Sequence, residues 1–140
     1  FKTTSTSGED WFFSNNIGST PLALSSIDNN GVIQMQFTDD DGTVVNGNYT
    51  DTSTLTGWHH IALVSSGTTA TLYTDTVQKI QDTDGSFDTI TLTTDFEIAR
   101  DTRDARYFAG SMDIFRIYNK ALSTKEISQN FNAQRSRFGV

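Results

Sequence analysis

A chain of 140 residues with ten glycines, one proline and no cysteine has the length of one domain, and its composition excludes disulfide frameworks, thiolate metal sites and cysteine nucleophiles. The formal net charge of −7 is concentrated in residues 1–78, where eight acids face the single base Lys2. Phosphate backbones repel such a surface, so nucleic acid is not an expected partner, and no apolar run approaches the roughly 20 residues of a membrane-spanning helix, so no membrane insertion is expected either.

The opening FKTTSTSGEDWFF, residues 1–13, starts as though in mid-strand, with no charged and apolar leader pattern. In GVIQMQFT, residues 31–38, Ile33, Met35 and Phe37 share one face, and Val32, Gln34, Gln36 and Thr38 the other. That period-two alternation predicts a strand buried on one side. Asp41-Gly42 then signals a hairpin turn. GWHHIALVSS, residues 57–66, carries Trp58, His60, Ala62 and Val64 on one face and His59, Ile61 and Leu63 on the other, the pattern of a central strand. ATLYTDTVQKI, residues 70–80, reads as a hairpin turning near Thr74 to Thr76, and FDTITLTTDFEIA, residues 87–99, supplies two more short strands. Roughly ten short strands with no helical crossover between them predict an all-β, two-sheet antiparallel jelly-roll sandwich.

The one predicted helix comes last. In ALSTKEISQNF, residues 121–131, Ser123 and Glu126 have the spacing of a capping box. Leu122 and Ile127 have the spacing of a hydrophobic staple, and Ile127 and Phe131 lie one turn apart, so a short amphipathic helix should dock on the sandwich.

Four stretches together, GWHHIALV, TLYTDTV, FEIARD and YFAGSMDIFRIYNKALSTKEI, resemble the concanavalin A-like lectin/glucanase jelly-roll domains of the laminin-G type, in their broad bacterial and viral branch. The positions that carry the likeness are Trp58 and His60, then Leu72, Tyr73 and Asp75, then Gly110, Asp113, Arg116, Tyr118, Asn119, Ala121, Leu122, Ser123 and Glu126. Asp75-Thr76 departs from the family pattern, which prefers glycine, so a longer or differently shaped turn is expected there. The resemblance also implies that residues 1–140 form one laminin-G-like domain lacking its first strands, the C-terminal part of a longer polypeptide. The ending QNFNAQRSRFGV resembles the endings of phage and marine-virus structural proteins that carry this domain.

Catalytic chemistry finds little support. Glucanases of this broad fold use carboxylates spaced E-x-D-x-x-E on one strand, and this chain has only Glu9, Glu97 and Glu126, the last committed to the cap. Adjacent His59 and His60 point to opposite faces and cannot pair on one metal, and no nucleophile-elbow pattern occurs. An enzyme is not expected. Asp39, Asp40 and Asp41 before Gly42 have the oxygen-rich character of a calcium loop, but the twelfth position from Asp39 is Thr50, so this is no EF-hand. A solvated turn is the simpler account; no cofactor is assigned, Ca2+ is left open, and metal ligands are unknown. ARDTRDARY, residues 99–107, is the best ligand-binding candidate: Arg100, Asp101, Arg103, Asp104 and Arg106 cluster with Tyr107 in a loop, and Asp101, Arg103, Asp104 and Tyr107 are the expected ligand-binding residues, polar groups beside an aromatic face. A surface ion-pair network that shapes the loop is the competing account.

The expected function is a non-enzymatic virion structural module, a capsid decoration or fibre domain for particle stability or host attachment, at the virion surface, with other virion proteins or surface glycans as partners and a homo-oligomer as a family-level expectation. The alternative is a secreted, extracellular carbohydrate-binding or adhesion module of a cellular protein.

Overall fold

The computed structural model describes residues 1–4, 10–17, 20–27, 31–38, 44–50, 56–83, 96–101 and 106–140. The strands are β1 Lys2–Thr3, β2 Asp10–Ile17, β3 Thr20–Ile27, β4 Val32–Thr38, β5 Val44–Thr50, β6 Ile61–Ser66, β7 Thr69–Thr74, β8 Val77–Thr83, β9 Phe96–Ile98, β10 Arg100–Asp101, β11 Arg106–Tyr107 and β12 Gly110–Ser111, followed by one helix, α1, Thr124–Phe138. All strand pairings among the described residues are antiparallel.

Two sheets make the sandwich. One runs in the order β5-β4-β3-β2-β9 and the other β6-β7-β8, and two short pairs, β1-β12 and β10-β11, lie beside them. Alternation in β4 does what the sequence predicts for its described side chains: Ile33 and Met35 are buried, while Val32, Gln34 and Gln36 are half-buried. They meet Phe12 from β2 and Ala70 and Leu72 from β7 in one apolar core. The sheets close at one side where the Asp82 carboxylate accepts from Asn46 N–H at 3.1 Å. The architecture is thus the all-β jelly-roll sandwich with a C-terminal helix. The expected 41–42 turn and the first of the two strands expected in 87–99 lie outside the described residues.

The turn between β7 and β8 differs from expectation. It is tight, with Thr74 paired to Val77, and Asp75 and Thr76 take φ of 49° and 73°. Two consecutive left-handed residues are the geometry of a type I′ hairpin, so the loop keeps the length that glycine would give and accepts the strain of a β-branched residue instead.

α1 starts where the capping box places it. Ser123 accepts from the Glu126 N–H, and the Glu126 carboxylate accepts from the Ser123 N–H at 2.8 Å. It runs to Phe138, well past the predicted stretch, and ends at Gly139 in the left-handed conformation. Ile127 is fully buried, and the Phe131 and Phe138 rings reach His60 and Trp58 at 6.0 and 4.7 Å. Two motif residues of the closing segment anchor the helix from outside: Asp113 pairs with Arg137 at 3.1 Å, and the Tyr118 hydroxyl accepts from Asn130 at 3.1 Å.

Candidate functional site

The described ends of the stretch predicted to bind ligand, β10 and β11, form an antiparallel strand pair set against β2. Ala99 takes a left-handed φ of 63° between β9 and β10, turning the chain out of the five-stranded sheet. Three bonds hold the turn against its neighbours: Ala99 N–H to the Phe12 carbonyl at 2.8 Å, Phe108 N–H to the Ala99 carbonyl at 2.9 Å, and the Ser14 hydroxyl to the Arg100 carbonyl at 3.0 Å. Ser14 is fully buried, so its hydroxyl is kept from water and held for the Arg100 carbonyl.

From that base β10 and β11 project as a pair, Arg100 opposite Tyr107 and Asp101 opposite Arg106. Tyr107 is 59% exposed, and the Arg100 guanidinium lies 5.7 Å from its ring centroid. Arg100 also faces Glu97 at 3.7 Å. The result is an exposed aromatic face beside a cation already oriented by its neighbours. Of the four predicted residues, Tyr107 is placed in full, Asp101 is placed by its backbone pairing, and Arg103 and Asp104 lie outside the described residues. Arg100, a member of the same predicted cluster, is placed opposite Tyr107 by the strand pairing.

The histidines behave as opposite faces require. His59 Nδ1 bonds the Asp75 carboxylate at 2.7 Å, and the other Asp75 oxygen accepts from the His60 N–H at 2.8 Å. Burial opposes charge on Asp75, yet the bonds from His59 and the His60 backbone outweigh it and hold the carboxyl below its usual range. His60 turns toward Phe131, and burial depresses its pKa. This clasp ties residues 58–60 to the strained β7-β8 turn and is structural. Among the described residues no cluster of three His, Asp or Glu side chains could hold a metal ion. The Asp39–Asp41 run lies outside them.

Between β6 and residues 112–122 lies a partly open cavity of about 610 Å³, with Phe12, Phe13 and the helix residue Ile127 among its lining. Neither sequence pattern nor motif announces it.

Residues 1–128 match the family model of the concanavalin A-like lectin/glucanases superfamily, of laminin-G type, and the chain belongs to that family. No curated protein matches the sequence. Among solved structures it is similar to the CBM40 of a Ruminococcus gnavus IT-sialidase bound to α2,3-sialyllactose, with a TM-score of 0.76 and 19% identity over 93% of this chain and 78% of that one. It is also similar to the receptor binding domain of botulinum neurotoxin D, with a TM-score of 0.64 and 16% identity over 91% of this chain and 33% of that one. The binding domain of botulinum neurotoxin serotype G gives a TM-score of 0.64 and 17% identity over 95% and 32%. These likenesses establish the fold. No helix among the described residues is long and apolar enough to cross a membrane.

Proposed function

We propose that the protein is a non-catalytic glycan-binding module that attaches a larger assembly to a carbohydrate-bearing surface through the 100–107 hairpin. The observation that carries this reading is the exposed Tyr107 ring with the Arg100 guanidinium beside it, on a hairpin clamped to a rigid sheet. An aromatic face stacks on the apolar side of a sugar ring, and a guanidinium pairs bidentately with a sugar carboxylate. Residues 100–107 hold three arginines against Asp101 and Asp104, a net charge of +1, and it is the guanidinium groups beside the aromatic ring that favour acidic sugars. The named ligand of the CBM40 structure, sialyllactose, is of that class and lends the reading support from a shared fold.

Titration calorimetry against sialylated and neutral oligosaccharides tests it. Acidic glycans should bind, and Tyr107→Ala and Arg100→Ala should each weaken binding by about tenfold or more, the ~1.4 kcal/mol of one good contact. Binding unchanged by both substitutions would remove the hairpin as the site.

Display on a virion is the finer part of this reading, supported by the likeness of the closing residues to virus structural proteins. That support is reduced by what the tail does here, because Phe131, Arg137 and Phe138 are accounted for by helix docking. Localisation of the protein to purified particles, or to the medium, separates virion surface from secreted adhesion module.

A further inference from the structure

Arg100 has an acidic neighbour that is held more deeply than Arg100 itself. Glu97 lies opposite the fully buried Ser14 in the β2-β9 pairing, and its side chain is 24% exposed against 45% for Arg100. Ser14 gives Glu97 no hydrogen, because its hydroxyl donates to the Arg100 carbonyl. The Glu97 carboxylate is therefore under-satisfied. Its Oε2 is buried and accepts no hydrogen bond among the described residues, and its Oε1 stands 3.7 Å from Arg100 Nη1. That separation is a charge contact, longer than the roughly 2.7–2.9 Å of a charge-assisted hydrogen bond.

Arg100 is in the complementary state. Its guanidinium makes no hydrogen bond among the described residues; its contacts there are the Glu97 carboxylate and the Tyr107 ring. Its donors are open to a ligand, while its charge is partly offset by a carboxylate fixed in the sheet. Orientation of the guanidinium is left to the Tyr107 ring and to a backbone held by the Ser14 bond and the pairing with Tyr107. An anion arriving at Arg100 meets Glu97 as a second negative charge. It also draws away the one cation paired with Glu97 among the described residues. Both effects oppose anions, and neither opposes an uncharged sugar.

We propose, resting on the glycan-binding reading, that Glu97 is a specificity residue: an internal competitor for Arg100 that disfavours bare anions and passes acidic sugars able to stack on Tyr107 as well. Sulfate or phosphate brings charge alone and has nothing to set against the repulsion from Glu97. A carboxylated sugar brings a planar fork for the guanidinium and an apolar ring face for the tyrosine. A neutral sugar engages the ring and leaves the Glu97–Arg100 pair as it stands.

The test is an NMR titration of the 140-residue chain and its Glu97→Gln and Glu97→Met variants with sialyllactose, lactose and sodium sulfate. Binding is read at the Arg100 Nε–H and at the backbone amides of residues 97–101, 106 and 107. Both substitutions should tighten sialyllactose and sulfate by about threefold to tenfold and leave lactose unchanged. They should also steepen the loss of sialyllactose affinity with added salt, which a purely structural role for Glu97 would not do. Amide spectra that match the parent outside the hairpin show that each variant is folded.

Affinity for the two anions that is unchanged or weakened in both variants overturns the proposal, weakening being the mark of a residue that orients Arg100. An equal gain for lactose overturns it as well, because lactose carries no charge for Glu97 to repel. The glycan-binding reading fails separately, if the parent and both variants bind no sialyllactose. Sulfate binding gained in Glu97→Gln and lost again in Glu97→Gln with Arg100→Ala would then still uphold the competition for Arg100. Absence of both sialyllactose and sulfate binding in every protein overturns the reading and the proposal together.

Discussion

Replacing Thr76 by glycine should stabilise the protein. Asp75 and Thr76 both occupy the left-handed region, at φ of 49° and 73°, in a turn whose length is fixed by pairing Thr74 to Val77. The left-handed conformation costs an L-residue about 1–2 kcal/mol. Thr76, being β-branched, belongs at the upper end, whereas Asp75 is a tolerant type with two side-chain bonds to recover the cost. Glycine removes the strain at position 76 but gains freedom in the unfolded chain worth roughly 0.5–1 kcal/mol. The balance is about 1–1.5 kcal/mol in favour of Thr76→Gly, which for a domain of this size raises the melting temperature by about 3–5 °C. Urea unfolding followed by tryptophan fluorescence, with thermal melts alongside, would measure it. Thr76→Asn should fall between the two, as asparagine tolerates the conformation better than threonine. A Thr76→Gly variant that is no more stable than the parent, with an unchanged denaturant slope, would refute the assignment of strain to this turn.

Ser123→Ala should cost about 1 kcal/mol and speed amide exchange in the first turn of α1, because it deletes one half of the capping box. Gly110→Ala should cost about 1–3 kcal/mol by the same urea assay, since a methyl group there would collide with the Lys2 carbonyl and sit 2.9 Å from the Thr3 Cα, both unyielding backbone atoms. Stability should fall as pH drops below about 6.5: burial, the largest influence on His60, depresses its folded pKa, so the unfolded chain takes up a proton that the folded chain refuses. That contribution is complete above 6.5 and lost on acidification toward the folded pKa, and His60→Gln should reduce the slope in this window. A further loss should follow near and below pH 4, where Asp75, ionised more readily in the fold than in the unfolded chain, is finally protonated.

Period-two alternation made β4 legible, because a strand buried on one face writes its environment into every second residue. The capping box placed the start of α1, because Ser123 and Glu126 are local partners that need no tertiary context. The end of the helix was not legible in the same way. Residues 132–138 are mostly polar and are held by tertiary contacts, Phe138 on Trp58 and Arg137 on Asp113, that no local pattern encodes. The hairpin of the candidate site was recognisable as a polar loop with an aromatic, but its foundation on Ser14 and Phe12 joins residues more than 80 positions apart. The cluster containing Arg100 was recognisable, but the place of Arg100 opposite Tyr107 comes from strand pairing rather than from a residue pattern.

GWHHIALVSS shows how far a correct pattern can outrun a visible neighbour. Its residues are apolar on both faces, the pattern of a central strand, yet among the described residues β6 has β7 on one edge only. One part of the discrepancy is explained by the helix, whose Phe131 and Phe138 cover the face of His60 and Trp58. The other face, with Ile61 and Leu63, packs toward the core. Two covered faces account for that composition without a second strand neighbour among the described residues, because a face packed under a helix selects the same apolar residues as a face packed in a sheet.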